Sequence, residues 1–327
     1  MPLTEGDPGK SAEFPPLAII TGPTGSGKSE CAVAVAERVG AEIVCADSRQ
    51  VYGSIPVGSA RPGPGLEARV PHHLYGVIEP DRALSAGAWR DMAAEAITGI
   101  NSRGALPLLV GGTGMWISAI LNEISLAPPA DRDAMARIEK RIGEEGPGAL
   151  WQELDRVDPE SAERIDRNDR YRIMRALAFH ETTGSPLSAH RRKGRPRYAP
   201  LVQCALDLPR TELYGRINRR TEEMFAGGLV EEVAALRARG LDPGLPSLKS
   251  IGYATVCEMI DGRIDRSRAI DIIRRDTRRY AKRQMTWLRS RTGIIRVDAR
   301  DAAKAAEEII SEIRRVMGAL PGRGRKT

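Results

Sequence analysis

Cysteine is scarce in this 327-residue chain. Cys31, Cys45, Cys204 and Cys257 stand far apart and form no Cys-x-x-Cys pair. That spacing excludes a disulfide framework or a zinc ribbon and fits reduced core thiols of a cytoplasmic protein. No apolar run approaches the roughly 20 residues of a membrane helix, so no membrane partner is expected. The first residues, with Glu5, Asp7, Pro8, Gly9, Lys10, Pro15 and Pro16, have no hydrophobic signal region. They are expected to form a flexible leader over 1–16, and the basic residues of 318–327 a flexible tail. No internal repeat is visible, no obligate protein partner is evident, and a monomer is expected.

What is present is the composition of a globular protein. Hydrophobic residues make up 41% of the chain, enough for a substantial core. Fifty Lys+Arg against 43 Asp+Glu give a net charge of +7, a moderate excess that suits a polyanionic partner. The length implies two domains, or one large domain carrying an insertion.

The most specific local signal is Gly22-Pro23-Thr24-Gly25-Ser26-Gly27-Lys28-Ser29, a full match to G-x-x-x-x-G-K-[ST]. The apolar run Leu17–Ile20 before it has the character of a buried strand. From Lys28 to Val39 the chain has helix-forming composition, without Gly or Pro until Gly40. Strand, glycine loop and helix together surround an oligophosphate with backbone N–H groups and the positive end of a helix dipole. In that geometry Lys28 reaches the terminal phosphate and the Ser29 hydroxyl ligates magnesium.

Further strands are predicted at Ala41–Ala46, Leu106–Val110, Val202–Leu208 and Ile294–Val297. Helices are predicted at Ala88–Ile100, Thr211–Ala226, Val230–Arg239, Arg266–Arg289 and Ala302–Met317, and 53–71 is a Gly/Pro-rich loop. Apolar strands alternating with helices imply an α/β fold, a P-loop NTPase-like parallel sheet flanked by helices. Between about Pro128 and Pro200 strands vanish and charged helical segments (Asp133–Ile142, Asp169–Thr182) take over, ending in the basic run 191–197. The organisation is therefore a core of 17–127 and 199–317 with an all-helical insertion domain of 128–198.

Ligands of such sheets sit at the carboxyl ends of the strands, where Asp47, the phosphate loop and Thr113 converge. Asp47 is placed to act as a general base or to reach a metal through water; capping the following turn is the plainer alternative. The strand Leu106–Val110 runs into Gly111-Gly112-Thr113-Gly114, where a nucleotide hydrolase usually has an acidic residue. No Asn-Lys-x-Asp guanine motif occurs, so triphosphate hydrolysis is disfavoured. Arg220 lies on the stripe Leu213, Ile217, Arg220, Met224, which aims it inward and demands an anionic partner: a diphosphate, a structural ion pair, or, with the site empty, Asp47 or water. The helix ending at Arg289 carries Arg268, Arg274, Arg275, Arg278, Arg279, Lys282, Arg283 and Arg289 against Asp271 and Asp276. Ile270, Ile273, Thr277, Tyr280, Gln284 and Trp287 supply its inward face. So dense a basic face repels itself without a polyanion, which favours nucleic acid over a merely solvated surface.

With the phosphate loop, six further stretches carry a resemblance: Asp47-Ser48-Arg49-Gln50-Val51-Tyr52, Gly58-Ser59-Ala60-Arg61-Pro62, Pro71-His72-His73-Leu74, Leu108-Leu109-Val110-Gly111-Gly112-Thr113-Gly114, Pro246–Tyr253, and Lys282-Arg283-Gln284-Met285-Thr286-Trp287-Leu288-Arg289. In this order, over about 17 to 298, the chain resembles the tRNA dimethylallyltransferase (tRNA isopentenyltransferase) family, of bacterial type. The resemblance implies transfer of a dimethylallyl group from dimethylallyl diphosphate to the N6 amine of the adenosine 3′ of the anticodon, position 37, in tRNAs reading codons that start with U. It makes Asp47 the acceptor of the amine proton, and Thr113 and Arg220 residues that steady the diphosphate. It also implies tRNA contacts, to the anticodon stem-loop, by Asp47, Ser48, Arg49, Gln50 and Thr113; by Tyr171, Arg172, Ile173, Met174 and Arg175; by Lys249, Ser250, Ile251, Gly252, Tyr253 and Ala254; and by Lys282–Arg289. The chain departs from the family pattern at Ser59, where Thr is common, and at Met135, where a relative has an arginine touching tRNA and neighbouring Arg132 or Arg137 stands in. It also lacks the Cys/His cluster of eukaryotic members after residue 300. An adenylate isopentenyltransferase using free nucleotide, a nucleotide kinase and a non-catalytic RNA-binding module are the competing readings.

Overall fold

The computed structural model describes residues 15–319, apart from 122, 123, 125, 129, 191–197, 199, 243 and 246. The expected leader up to residue 14, the basic run 191–197 and the tail from 320 lie outside the described residues. The chain starts with β1 (Ala18–Thr21), fully buried, and continues through the phosphate loop into α1 (Lys28–Val39). β2 (Ala41–Cys45) follows. The stretch 53–71, expected as loop, holds two short helices, α2 (Pro56–Ser59) and α3 (Pro64–Glu67). Each starts on a proline, whose missing N–H and fixed φ suit the first position of a helix, so the residue that suggests a loop here begins a helix. Next come β3 (His72–His73), α4 (Ala86–Ser102), β4 (Leu106–Gly111) and α5 (Gly114–Ile120). The chain then passes into α6 (Arg132–Glu145), α7 (Pro147–Val157), α8 (Pro159–Arg164) and α9 (Arg170–Thr183). It returns through β5 (Val202–Asp207), α10 (Arg210–Ala226), α11 (Leu229–Ala238), α12 (Tyr253–Ile260), α13 (Arg266–Arg289), β6 (Ile295–Asp298) and α14 (Ala302–Gly318).

The chain divides into two compact units. The larger, residues 1–84, 88–120 and 197–327, holds one six-stranded sheet of order β3-β2-β4-β1-β5-β6 in which every pairing is parallel. β1 therefore sits between β4 and β5, and the phosphate loop leaves the middle of the sheet. Ala18, Ile20, Leu108 and Cys204 on the strands and Val33, Val35, Ile309 and Ile313 on helices belong to one buried cluster, so the strand ends above it are carried on a rigid floor.

The smaller unit, 85–87 and 121–196, is helical and has its own core of Ile138, Leu150, Leu154, Ile173, Leu177 and Phe179. Asp158 anchors it. This buried carboxylate accepts hydrogen bonds from the N–H groups of Ser161 (3.1 Å) and Ser188 (3.0 Å), which hold its pKa down against the opposing effect of burial.

Candidate active site

The phosphate loop is a tight turn closed by a hydrogen bond from Ser26 N–H to the Pro23 carbonyl (3.2 Å). Gly27 caps α1 in the left-handed conformation (φ 85°, ψ 20°), which only glycine adopts without strain. Lys28 Nζ donates to the Pro23 carbonyl at 2.8 Å. Burial pulls the Lys28 ammonium down to about 8; Asp47 acts against this and Arg220 with it. Burial likewise lowers the pKa of the Arg220 guanidinium, which Glu30 and Asp47 oppose. Two neighbouring buried cations make this a place suited to an anion.

Asp47 stands at the end of β2. Its Oδ1 accepts from Arg49 N–H at 2.9 Å, so the turn-capping role and the site position coexist. Trp89 fixes this strand end: its Nε1 donates to the Cys45 carbonyl at 3.0 Å and its ring stacks on Trp116 at 4.4 Å. The glycine at the end of β4 has a steric reason. A Cβ on Gly111 would lie 2.1 Å from the Ala46 carbonyl oxygen, so glycine alone lets the ends of β2 and β4 close together. The acidic residue missing from β4 is in effect supplied from the next strand as Asp47. The Thr113 hydroxyl accepts from Ser48 N–H at 3.0 Å and Thr113 N–H donates to the Ala46 carbonyl at 3.2 Å. Thr113 thus holds the Asp47 turn and does not itself line the cavities described next.

The buried stripe of α10 is Leu213, Ile217, Thr221 and Phe225, a strict i, i+4 row. Arg220 flanks that row and does not point into the core. Its Nη2 donates to the Ala60 carbonyl at 3.2 Å, and no ion pair to it occurs among the described residues. A pairing with Asp47 is therefore not formed. Ala60 is in the left-handed region (φ 52°), unusual for a residue with a Cβ, and its carbonyl also accepts from Gln50 Nε2 at 2.8 Å. Glu232 secures this strained turn. Its carboxylate accepts from Val57 N–H (2.7 Å), Gly58 N–H (2.9 Å) and the Tyr253 hydroxyl (2.6 Å). Sequence reasoning missed Glu232 and Trp89, because neither belongs to a local motif.

Two cavities meet here. One, of about 490 Å³, lies over the phosphate loop and is lined by Lys28, Ser29, Arg216, Arg219 and Arg220 among others. The other, of about 260 Å³, is lined by Ile217, Met224, Ile251, Ile273, Thr277 and Tyr280, with Lys249 and Arg283 also on its wall. Thr24, Asp47, Ser59, Ala60 and Arg220 line both.

A family model described as IPP transferase matches residues 50–291. The chain belongs to the IPP transferase family. The tRNA dimethylallyltransferase of Desulfosudis oleivorans is 41% identical over 303 residues, 92% of this chain and 96% of that protein. The tRNA dimethylallyltransferase of Geobacter sulfurreducens is 45% identical over 275 residues, 84% of this chain and 88% of that protein. Among solved structures, the tRNA isopentenylpyrophosphate transferase of Bacillus halodurans matches with a TM-score of 0.67 at 33% identity, covering 93% of this chain and 98% of that one. A eukaryotic dimethylallyltransferase acting on tRNA shares the fold, with a TM-score of 0.77 at 21% identity over 95% of this chain and 81% of that one.

In this IPP transferase the residues expected at RNA divide by exposure. Lys249, Ala254, Lys282, Arg283, Thr286 and Arg289 are exposed, whereas Ser250, Gly252, Tyr253, Gln284, Met285 and Leu288 are buried. Ile251 and Trp287 are half-buried. In the smaller unit Tyr171 is 61% exposed beside exposed Arg172, Met174 and Arg175 are half-buried, and Ile173 belongs to the core. Met135 packs against that same core and Arg137 pairs with Glu181. The charge on α13 is less self-repelling than the sequence implies. Arg274 pairs with Glu222 and Asp271, Arg275 and Arg279 with Asp276, and Arg278 donates to Asn218. Lys282, Arg283 and Arg289, in the C-terminal part of α13, have no ion pair among the described residues.

Proposed function

We propose that this chain transfers the dimethylallyl group of dimethylallyl diphosphate to N6 of the adenosine 3′ of the anticodon, position 37, in tRNAs reading codons that start with U, releasing diphosphate. The observation that carries this reading is the wall shared by the two cavities. A cation-rich chamber for an oligophosphate and a more apolar chamber for a planar base and a prenyl group are joined at one carboxylate and one guanidinium. The base leaves its stack and enters from the side of Lys249 and Arg283, as suits a loop nucleotide.

In the transfer, the bond from N6 to the terminal prenyl carbon forms as the carbon–oxygen bond to the diphosphate breaks, and its electron pair leaves with the diphosphate. N6 gives up one proton, and the Asp47 carboxylate accepts it. Lys28 and Arg220 meet the charge gathering on the leaving group. Thr113 acts on this chemistry by fixing the turn that bears Asp47.

The donor set fits magnesium in a limited way. No group of three Asp, Glu, His or Cys able to hold a metal occurs among the described residues, but the Ser29 side chain lines the phosphate chamber. An ion there would take its oxygens from the Ser29 hydroxyl, diphosphate and water, the usual pattern for magnesium, and would neutralise leaving-group charge.

Both chambers lie within the larger unit of a single chain, which suits a monomer. No described helix is long and apolar enough to cross a membrane, and a tRNA substrate suits a cytoplasmic reaction. Incubation with radiolabelled dimethylallyl diphosphate and either tRNA, AMP or ATP tests the reading. Label is expected in tRNA alone; label in AMP or ATP would replace this function by that of a free-nucleotide transferase, and no label in any acceptor would remove it.

A further inference from the structure

The inner face of α13 runs beneath both loops of the site. Gln284, 7% exposed, lies between them: Thr24 N–H donates to its Oε1 at 2.8 Å and its Nε2 donates to the Gly112 carbonyl at 2.9 Å. The amide orientation is set by chemistry, since an N–H needs an acceptor and a carbonyl needs a donor. The contact is close enough to require glycine opposite, because a Cβ on Gly112 would lie 2.3 Å from Nε2. One turn on, the Trp287 ring occupies the space beside Gly114, 2.5 Å from where a Cβ would stand. Lys282 and Arg283, immediately before Gln284, are exposed and without carboxylate partners among the described residues, and Arg283 also lines the more apolar chamber.

We propose that Gln284 is a positioning residue for the prenyl donor: it clamps the phosphate loop to the Gly112 turn, and so makes α13 a single rigid part that offers cations to RNA outside and sets the diphosphate site inside. The inference rests on the transfer reading above, but it gives Gln284 a role distinct from contact with RNA. A buried amide with both bonds spent on loop backbone shapes the site without touching substrate. Thr24 lines both chambers, so a shift of its backbone changes the wall on which donor and acceptor meet.

Gln284→Met keeps the length and volume of the side chain and removes both hydrogen bonds; Gln284→Glu keeps the acceptor for Thr24 and sets a carboxylate against the Gly112 carbonyl. Each is compared with the wild-type protein by three measurements. These are calorimetric titration with an unreactive donor analogue carrying sulfur at the bridging oxygen, filter binding of unmodified tRNA, and steady-state kinetics in each substrate. Loss of two net hydrogen bonds predicts about a tenfold weaker analogue affinity in Gln284→Met, and at least as large a loss in Gln284→Glu, where a buried carboxylate faces a carbonyl oxygen. KM for dimethylallyl diphosphate is expected to rise and kcat to fall, while KM and Kd for tRNA stay within about twofold of the wild-type values. A fall in tRNA affinity with analogue binding intact would overturn the proposal and make Gln284 a reader of RNA. Unchanged donor affinity and turnover in both variants would overturn it as well. If one variant does not fold, the other decides by the same split. A wild-type protein that neither binds the analogue nor labels tRNA would defeat the functional reading instead, so the two failures are told apart.

Discussion

The two chambers that meet at Asp47 and Arg220 are built by different means. The phosphate chamber has its floor in turns at the carboxyl ends of β1, β2 and β4, and α10 and residues 59–66 supply the rest of its wall. The more apolar chamber is made largely of side chains from α10, the segment before α12, and α13, brought together by tertiary packing. The floor of the first is a property of short stretches of chain, the second of their assembly. The contrast teaches where each substitution should register: on the shared wall as lost transfer, within one chamber as lost affinity for one substrate.

Asp47 tests the wall most severely. Asp47→Ala should cost about a hundredfold or more in turnover, ~2.7 kcal/mol of barrier, while pyrophosphate binding and the melting temperature hold. Near-normal turnover by a folded variant would end its assignment as the base. Arg220 comes next. Arg220→Leu removes a guanidinium that donates to the Ala60 carbonyl and forms no ion pair among the described residues, so it should fold; loss of charge-assisted bonds to diphosphate predicts ~10–100-fold weaker transfer. Arg220→Lys keeps the charge without the planar fork and should fall between this variant and wild type. Titration with dimethylallyl diphosphate beside a melting curve separates the roles: a Leu variant that binds and transfers normally makes Arg220 purely structural.

The same division explains how far the sequence could be read. Gly22–Ser29 and Asp47 are legible because each motif is contiguous and sits at a strand end that apolar patterning already marks. Five of the six strands follow from that patterning, β3 (His72–His73) being the exception, as does α13, predicted and found over Arg266–Arg289. Arg220 was half legible: periodicity put it on an inward stripe, whereas in the fold it flanks the buried row and its neighbour is the carbonyl of a strained Ala60. The clamp by Gln284 and the carboxylate of Glu232 were not legible at all. Their partners lie 260 and 175 residues away in the chain, and a glutamine on an inward helix face carries no local mark of what it bonds. The basic helix misled in one respect, since neutralisation of Arg274 by Glu222 of α10 depends on packing that composition does not encode.

That neutralisation sharpens the comparison on the RNA side. If only the unpaired end of α13 meets phosphate, reversing Lys282 and Arg283 to Glu should lower the slope of log affinity against log salt by roughly 1.5–2, the weight of two phosphate contacts. Affinity for pyrophosphate should stay the same, because neither residue lines the phosphate chamber. Filter binding across a salt series measures the slope, and an unchanged slope would make this end of the helix a solvated surface.

The smallest expected effect is a fraction of a proton, and it bears on whether the phosphate chamber is built for an anion. Burial pulls the Lys28 ammonium down to about 8 against an ordinary 10.5. Between those values the unfolded state binds the proton and the native state does not, so the stability of the protein without ligand should rise with pH across that window. An anion in the loop reverses the balance: it favours the ammonium and returns the Lys28 pKa toward its ordinary value. Binding of metal-free pyrophosphate at pH 9 should therefore take up a proton, which appears as a binding enthalpy that varies with the ionisation heat of the buffer. At pH 6.5 Lys28 is already protonated in both states, and its contribution to that dependence should vanish. Lys28→Met should remove the extra proton uptake at pH 9, leaving only the exchange that the ionisation of pyrophosphate itself supplies at each pH. Identical proton exchange by wild type and Lys28→Met at pH 9 would mean that Lys28 is held by its bond to the Pro23 carbonyl and does not serve phosphate.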